Sequence, residues 1–106
     1  MFSRIVTMQL KPNRVAELTK TVEERVLPLL QKQEGFKDEI FFVKPDGTEA
    51  IGISLWDRKD NAESYSSKAY PQVLEVLSNF VERSPQVRTY EVTNSTFHKI
   101  ATKATI

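Results

Sequence analysis

The alternation of side chains between Ile51 and Trp56 constrains this sequence more than any other feature. In an extended strand every second side chain points to the same face. One face of this strand is fully apolar: Ile51, Ile53 and Leu55. The opposite face has two small side chains and one indole: Gly52, Ser54 and Trp56. Small residues beside an indole leave space for a flat apolar ligand. The alternative is that the small residues only let a helix pack closely.

The composition limits the classes of function. The chain has 106 residues, enough for one domain, and its 15 Lys and Arg against 14 Asp and Glu give a net charge of +1. No dense basic stretch is present, so nucleic acid and anionic membranes are not expected partners. The sequence has no cysteine and therefore no disulfide or thiol chemistry. No apolar run approaches the roughly 20 residues of a membrane span, so a cytoplasmic protein is expected.

Apolar periodicity predicts four strands. Their ranges are 2–10, 36–44, 48–56 and 87–97. The second strand is apolar on both faces, as expected for a strand covered on both sides. Pro45, Asp46 and Gly47 have the chemistry of a tight turn, so the second and third strands should form a hairpin.

Two helical regions separate these strands. The first is predicted from Asn13, as the N-cap, to about residue 33, with Pro28 kinking or loosening a turn and Gly35 ending the helix. The second is split. Asp60, with Glu63 at capping-box spacing, should open a helix of about two turns, and Pro71 should start another helix that ends near Ser84.

The order β-α-β-β-α-β predicts a ferredoxin-like α+β plait, in which both helical regions cover one face of a four-stranded antiparallel sheet. The domain should span residues 2–97, followed by a tail at 98–106. The other face of the sheet is too apolar to remain in water. The simplest cover is a second copy of the chain, so a homodimer with face-to-face sheets is expected.

Over residues 2–97 the chain resembles the antibiotic biosynthesis monooxygenase-like domains of the dimeric α+β barrel class. Three segments carry the resemblance: Leu27–Phe36, Ile53–Asp57 and Asp60–Tyr70. Many members have an aromatic at the position of Trp56 and His at the positions of Tyr65 and Tyr70. The family includes cofactor-free oxygenases of polycyclic phenols, haem-degrading oxygenases and domains with no assigned reaction.

The resemblance implies a cofactor-independent monooxygenase that oxidises a small or polycyclic phenol. Its cleft would lie beside Trp56 in each subunit, between the sheet and the helices. Trp56 would be a stacking wall, and Tyr65 and Tyr70 would donate hydrogen bonds to a developing oxyanion; these are the predicted catalytic residues. The predicted substrate-binding residues are Gly52, Ser54, Leu74 and Leu77. No cofactor or metal is expected, because such a phenol, once deprotonated, reduces dioxygen itself.

Polar partners for that chemistry are not obvious in the sequence. The best-understood relative has Asn, Tyr and Arg at the positions of Gly52, Ala62 and Val76. Three other residues could substitute if the fold brings them to the cleft: Ser54, Arg88 and Glu91.

Two other functions remain open. The same domain could be a non-catalytic dimeric binding or accessory protein, which is favoured if Trp56 is sealed by Leu74, Leu77 and Phe80. Haem degradation is a weaker alternative, because haem-degrading relatives use an Asn on the first strand and an axial His on the split helix, and both are absent here. The single histidine, His98, is expected at the surface without a metal.

Overall fold

A computed structural model describes residues 1–100, which form an antiparallel sheet with helices on one face. The strands β1 (Phe2–Gln9), β2 (Phe36–Val43), β3 (Glu49–Trp56) and β4 (Gln86–Glu91) lie in the order β2-β3-β1-β4. The helices are α1 (Val15–Thr21), a π-helical turn (Val22–Val26), α2 (Leu27–Gln31), α3 (Lys59–Lys68) and α4 (Tyr70–Leu77). The predicted ferredoxin-like α+β plait is confirmed. Within the described range, no helix combines the length and apolar composition that crossing a membrane requires.

The core lies between the sheet and the helices. Alternate side chains of β3 are buried, as the sequence predicted: Ala50, Gly52, Ser54 and Trp56. They are covered by buried residues of the two helical regions: Leu18, Val22, Val26, Leu30, Ala62, Tyr65, Val73, Val76 and Leu77. The face that carries Trp56 is therefore the helix-covered face of the sheet, which we call the inner face.

The opposite, outer face of the sheet is apolar and only partly covered by the chain itself. Ile40 and Phe42 are 42% and 50% exposed. Phe97, which follows β4, is 86% exposed. The Nε2 of His98 pairs with Asp38 Oδ2. Since Asp38 lies next to Leu55 in the β2–β3 ladder, this pair holds the end of the described chain at the outer face.

The first helical region contains the loosened turn that Pro28 predicted. Proline has no amide hydrogen and its ring crowds the carbonyl four residues earlier, which here belongs to Glu24. The backbone before Pro28 forms a π-helical turn, in which the Leu27 amide donates to the Val22 carbonyl. The wider turn ends at Val26, immediately before the proline-containing α2.

Both predicted N-caps are wrong. Asn13 has a φ of +59°, so it forms a left-handed turn and the N-cap of α1 is Arg14. Asparagine tolerates this conformation better than most residues. Asp60 lies in the first turn of α3 rather than at its cap, because α3 already starts after Arg58.

The fourth strand is shorter than predicted, ending at Glu91 rather than Phe97. Glu91 is paired with Phe2, near the start of β1, and the next amide, of Val92, donates to the Met1 carbonyl. The described residues that follow, 93–100, belong to no strand. The predicted tail at 98–106 extends past the described residues, and 101–106 lie outside them.

The hairpin between β2 and β3 has the predicted turn. Gly47 has a φ of +77°, and the Asp46 carboxylate accepts hydrogen bonds from the amide and hydroxyl of Thr48. The second positive-φ glycine, Gly35, has a φ of +79° at the junction after α2. A Cβ at Gly35 would lie 2.8 Å from the Cβ of Asn61, so helix α3 closes directly over this glycine.

Replacing Gly35 with alanine should therefore destabilise the protein more than replacing Gly47. Both positions have positive φ, which costs about 1 kcal/mol or more for a non-glycine residue. Only Gly35→Ala adds a backbone-anchored clash, and we expect a total loss on the order of 3 kcal/mol. Chemical denaturation of both variants measures this. Equal losses for the two variants would contradict the close approach of α3 to Gly35.

Candidate functional site

A row of polar side chains crosses the inner face of the sheet. Ser54 on β3 pairs with Arg4 on β1 and with Glu39 on β2. Directly paired residues in neighbouring strands share a face, so all three side chains point toward the helices. The arrangement sets a basic and an acidic group on either side of a serine, in the middle of an otherwise apolar core.

A cavity of about 40 Å³ lies above this row, between the sheet and the helices. Its lining combines the polar row with apolar side chains and two phenols: Arg4, Val6, Met8, Val22, Val26, Leu30, Glu39, Phe41, Gly52, Ser54, Tyr65, Tyr70, Val73 and Leu77. A water molecule needs roughly 10–15 Å³ of such volume, so the cavity holds on the order of three waters. A site that binds a benzene ring is about 150 Å³.

Arg4 is a buried cation without a salt bridge. It is only 3% exposed. Within residues 1–100, no carboxylate oxygen lies within 4.0 Å of its guanidinium. The guanidinium carbon instead lies 4.3 Å from the ring centroid of Tyr70 and 5.1 Å from that of Tyr65. Cation–π contacts offset part of the cost of burying the charge, but they leave the guanidinium able to attract an anion.

Glu39 faces the same cavity from the other side of Ser54. Its Oε2 is shielded from solvent and has no hydrogen-bond partner within residues 1–100. A Cβ at Gly52 would lie 3.5 Å from this oxygen, so the carboxyl group extends over the glycine. Desolvation raises the pKa of Glu39 to about 8, and the positive charge of Arg4 opposes that rise. Glu39 therefore changes its charge near neutral pH, where an ordinary glutamate does not.

The two tyrosines complete the polar wall of the cavity. The Tyr70 hydroxyl is buried and finds no hydrogen-bond partner in the part of the chain that the structure describes. Burial raises the pKa of both Tyr65 and Tyr70, against the opposing charge of Arg4. Both phenols stay neutral at physiological pH and serve as hydrogen-bond donors rather than bases.

Trp56 is fully buried behind the cavity rather than open to it. Its ring stacks on Tyr65 with centroids 5.0 Å apart and meets Phe36 edge-on at 5.6 Å. Its Nε1 donates a hydrogen bond of 2.9 Å to Ser54 Oγ. Phe36 and Tyr65 both pack against the indole, which is fully buried. The Trp56 ring thus fixes Tyr65 and Ser54 and does not itself contact the empty space.

The structure brings together most of the residues predicted to form the site. Five of them line the cavity: Gly52, Ser54, Tyr65, Tyr70 and Leu77. Leu74 is half-buried against the core outside the lining. The proposed polar substitutes Arg88 and Glu91 are both exposed on β4. Arg88 pairs with Ile5, which places it on the outer face and away from the cavity.

Sequence reasoning missed Arg4 and Glu39. Both residues could have been identified from the alternation of side chains along their strands. Arg4 alternates with Val6 and Met8, and Glu39 alternates with Phe41 and Val43, so each charge falls on the apolar side of its predicted strand. A charge on the buried side of a strand needs a partner or a function.

The described part of the chain has few side chains placed to bind a metal ion or haem. Residues 1–100 contain no group of three His, Cys, Asp or Glu side chains that could hold a metal ion. The single histidine, His98, lies at the outer face, opposite the cavity. The cavity lining contains no histidine as an axial ligand, and a volume of about 40 Å³ is far too small for haem.

The fold is that of the antibiotic biosynthesis monooxygenase proteins. A monooxygenase from Streptomyces coelicolor, solved with nanaomycin D, has a TM-score of 0.75 at 16% identity over 92% of each chain. A Bordetella bronchiseptica protein named as a candidate antibiotic biosynthesis monooxygenase has a TM-score of 0.73 at 16% identity, covering 88% of this chain and 97% of its own. A Nitrosomonas europaea protein of unknown function has a TM-score of 0.74 at 14% identity, with 96% and 95% covered.

These similarities are confined to structure. No protein-family model matches the sequence, and no curated protein matches it. At 14–16% identity the likeness establishes the fold alone. Any activity of this chain therefore depends on the residues that line its own cavity.

The raised pKa of Glu39 should make stability depend on pH. The folded protein holds this proton up to about pH 8, whereas the unfolded chain releases it near 4.5. Stability is therefore highest below the unfolded pKa and falls as the pH rises through the folded pKa. We expect a loss of roughly 3 to 5 kcal/mol across this window, since one pKa unit corresponds to about 1.4 kcal/mol.

Denaturant unfolding between about pH 5 and about pH 9 measures this dependence. Glu39→Gln, which cannot ionise, should remove most of the slope and be the more stable protein at the alkaline end. Glu91→Gln is the matched control, because Glu91 is exposed on β4. A Glu39→Gln variant with the wild-type slope would show that Glu39 is not the group responsible.

Proposed function

We propose that this chain is a cofactor-independent monooxygenase of the antibiotic biosynthesis monooxygenase type, acting on a small phenol or hydroquinone. The observation that carries the proposal is the buried Arg4 guanidinium. It lines the cavity, has no carboxylate partner within 4.0 Å in the described residues, and is accompanied there by Glu39 Oε2 and the Tyr70 hydroxyl, neither of which has a hydrogen-bond partner in residues 1–100. The fold shared with monooxygenases supports the assignment.

The chemistry follows from the charge of Arg4. A phenol reacts with dioxygen only as its electron-rich anion, so an enzyme of this kind has to stabilise negative charge on the substrate oxygen. A preorganised cation in a water-poor cavity does this more effectively than water does. The neutral Tyr70 hydroxyl can donate a hydrogen bond to the same oxygen.

The size of the cavity restricts the substrate. About 40 Å³ is far below the 300–1,000 Å³ typical of ligand pockets, and also below the roughly 150 Å³ of a cavity that binds a single benzene ring. One ring requires about a fourfold enlargement by side-chain and helix movement. Three fused rings, as in an anthrone, require far more. We therefore replace the polycyclic substrate implied by the family resemblance with a single-ring phenol.

The proposed reaction needs no electron donor besides the substrate and dioxygen. For hydroquinone, one oxygen atom enters the ring and the other leaves as water, so hydroquinone and dioxygen give hydroxybenzoquinone and water. Two electrons come from the ring C–H that becomes C–OH and two from the oxidation of the diol to the quinone. The protein binds the diol, stabilises its anion and keeps the reacting atoms together.

A non-catalytic binding domain is the second candidate. The observation in its favour is that Trp56 is fully buried and the cavity beside it is small. In this case the cavity would hold a small polar ligand, or ordered water between Arg4 and Glu39, without turnover.

A second copy of the chain is the proposed partner. The outer face presents apolar side chains that are exposed or half-buried in the single chain: Ile40, Phe42, Ile51, Ile53 and Leu55. The face is continuous across β2 and β3, because Ile40 pairs with Ile53 and Phe42 with Ile51. Two such faces packed about a two-fold axis would remove one another from water.

Oxygen consumption tests the enzymatic proposal. With hydroquinone, the protein should accelerate uptake above autoxidation, and labelled dioxygen should leave one labelled atom in the quinone. With anthrone, uptake should stay near background. Arg4→Gln removes the cation and should lower kcat/KM by 10²–10³-fold, the usual loss for one oxyanion partner. Lys11→Gln, at an exposed position, is the control.

Binding measurements separate the two candidates if turnover is absent. Phenol that binds wild type but not Arg4→Gln, with no oxygen uptake from any single-ring phenol or hydroquinone, would establish the binding domain and exclude the oxygenase. Circular dichroism shows whether the variant is folded.

Sedimentation measures the proposed self-association. Wild type should sediment as a dimer at micromolar concentration. Phe42→Glu places a charge on the outer face at a half-exposed position, so it should yield a folded monomer. Thr19→Glu changes the charge equally at an exposed position of α1 and should remain dimeric. A monomeric wild type would refute the interface.

A further inference from the structure

The Glu39 carboxyl is not explained by substrate binding alone. A second charge in the core is costly, and a buried carboxyl group normally has hydrogen bonds on both oxygens. Glu39 Oε2 has none within the described residues. Arg4 lies on β1, on the opposite side of Ser54 from Glu39. Its guanidinium is more than 4.0 Å from any carboxylate oxygen in residues 1–100.

We propose that Glu39 is the proton acceptor of this site, taking the proton of a weakly acidic single-ring phenol whose oxygen faces Arg4. This inference rests on the proposed function. The phenol O–H bond breaks, its electron pair remains on the substrate oxygen next to Arg4, and the proton forms an O–H bond on Glu39 Oε2. The net charge of the cavity is unchanged by the transfer, because Glu39 becomes neutral as the phenol becomes an anion.

The residues around Glu39 are consistent with this role. The charged or titratable groups that share its cavity are Arg4 on β1, Tyr65 on α3 and Tyr70 on α4. The first helical region contributes only apolar side chains there: Val22, Val26 and Leu30. Both tyrosines remain neutral at pH values below their raised pKa. Glu39 is consequently the one acidic group lining this cavity that ionises, and so becomes able to accept a proton, below the raised pKa of the two tyrosines.

The titration of Glu39 is suited to the task. An ordinary glutamate is too weak a base to deprotonate a phenol efficiently. Burial raises the pKa of Glu39 to about 8, against the opposing charge of Arg4. A base is most effective when its pKa lies near the working pH. The carboxylate form, which is the active one, becomes predominant above about pH 8.

Gly52 provides the access that the proton transfer needs. A Cβ at this position would contact Glu39 Oε2 at 3.5 Å and Phe41 Cδ1 at 3.4 Å. A branched side chain at 52 would extend further, into the space beside the carboxyl oxygen. The glycine leaves the unpaired oxygen facing the cavity.

The kinetic test compares wild type with Glu39→Gln on hydroquinone, after subtraction of autoxidation. Wild-type kcat/KM should rise with pH and level off above about pH 8. In Glu39→Gln, kcat/KM should fall by 10²–10⁴-fold and lose this rise, while KM changes little. Formate should restore activity to Glu39→Ala by replacing the missing carboxylate. A Glu39→Gln variant with wild-type kcat/KM would overturn the proposal, and Glu91→Gln controls for the substitution itself.

A second measurement does not depend on turnover. Carbon NMR of labelled glutamate carboxyl groups, with Glu39→Gln providing the assignment, follows the charge of Glu39 directly. At a pH just above its own pKa, adding phenol should convert Glu39 from carboxylate to carboxylic acid. This conversion should be absent in folded Arg4→Gln, in which the phenolate loses its partner.

The two measurements separate the two proposals. If no phenol is oxidised but phenol protonates Glu39, the oxygenase is excluded and the proton acceptor stands as part of a binding site. If phenol binds and leaves Glu39 ionised, the proton acceptor is excluded whether or not oxygen is consumed.

Discussion

The polar row and the cavity both depend on the register in which β1, β2 and β3 pair. Pairing of Ser54 with Arg4 on one side and Glu39 on the other sets opposite charges in one row, under the helices. A shift of one residue in either pairing would move a charge to the outer face. The row would then be lost, and the inner face would be an ordinary apolar core. The cavity, the unpaired oxygen and the aromatic contacts of Arg4 all depend on this register.

Such an arrangement is not explained by stability. Replacing a buried charged pair with apolar residues of similar size is often neutral or stabilising. Here the two charges do not form a direct ion pair within 4.0 Å, so the cost of desolvation is only partly offset. The cation–π contacts of Arg4 with Tyr65 and Tyr70 recover some of it. The desolvation cost of a charged Glu39 is avoided up to about pH 8, because the carboxyl group stays protonated and neutral. A fold that tolerates this cost is more readily explained by chemistry in the cavity than by packing.

The fold was largely predictable, whereas the centre of the site was not. Local patterns were sufficient for the inner face of β3, the turn at Gly47 and the loosened helix before Pro28, because each depends on neighbouring residues. The length of β4 depended on where its partner β1 begins, which local periodicity does not contain. Arg4 and Glu39 were missed for a related reason. Each is a single charge in a strand, and only the pairing of the strands shows that both charges share a face and a cavity.

The irregular turn in the first helical region connects the fold to the size of the cavity. Pro28 prevents regular hydrogen bonding to the Glu24 carbonyl, and the resulting π-helical turn contains Val22 and Val26. Both valines line the cavity opposite the charged row. The wall that has to move for one aromatic ring to enter is therefore also the least regular part of the helix. Turns of this kind recur at functional sites because they weaken the helical hydrogen-bond pattern locally. The same sequence feature that disturbs the helix thus places its irregular turn over the proposed substrate site.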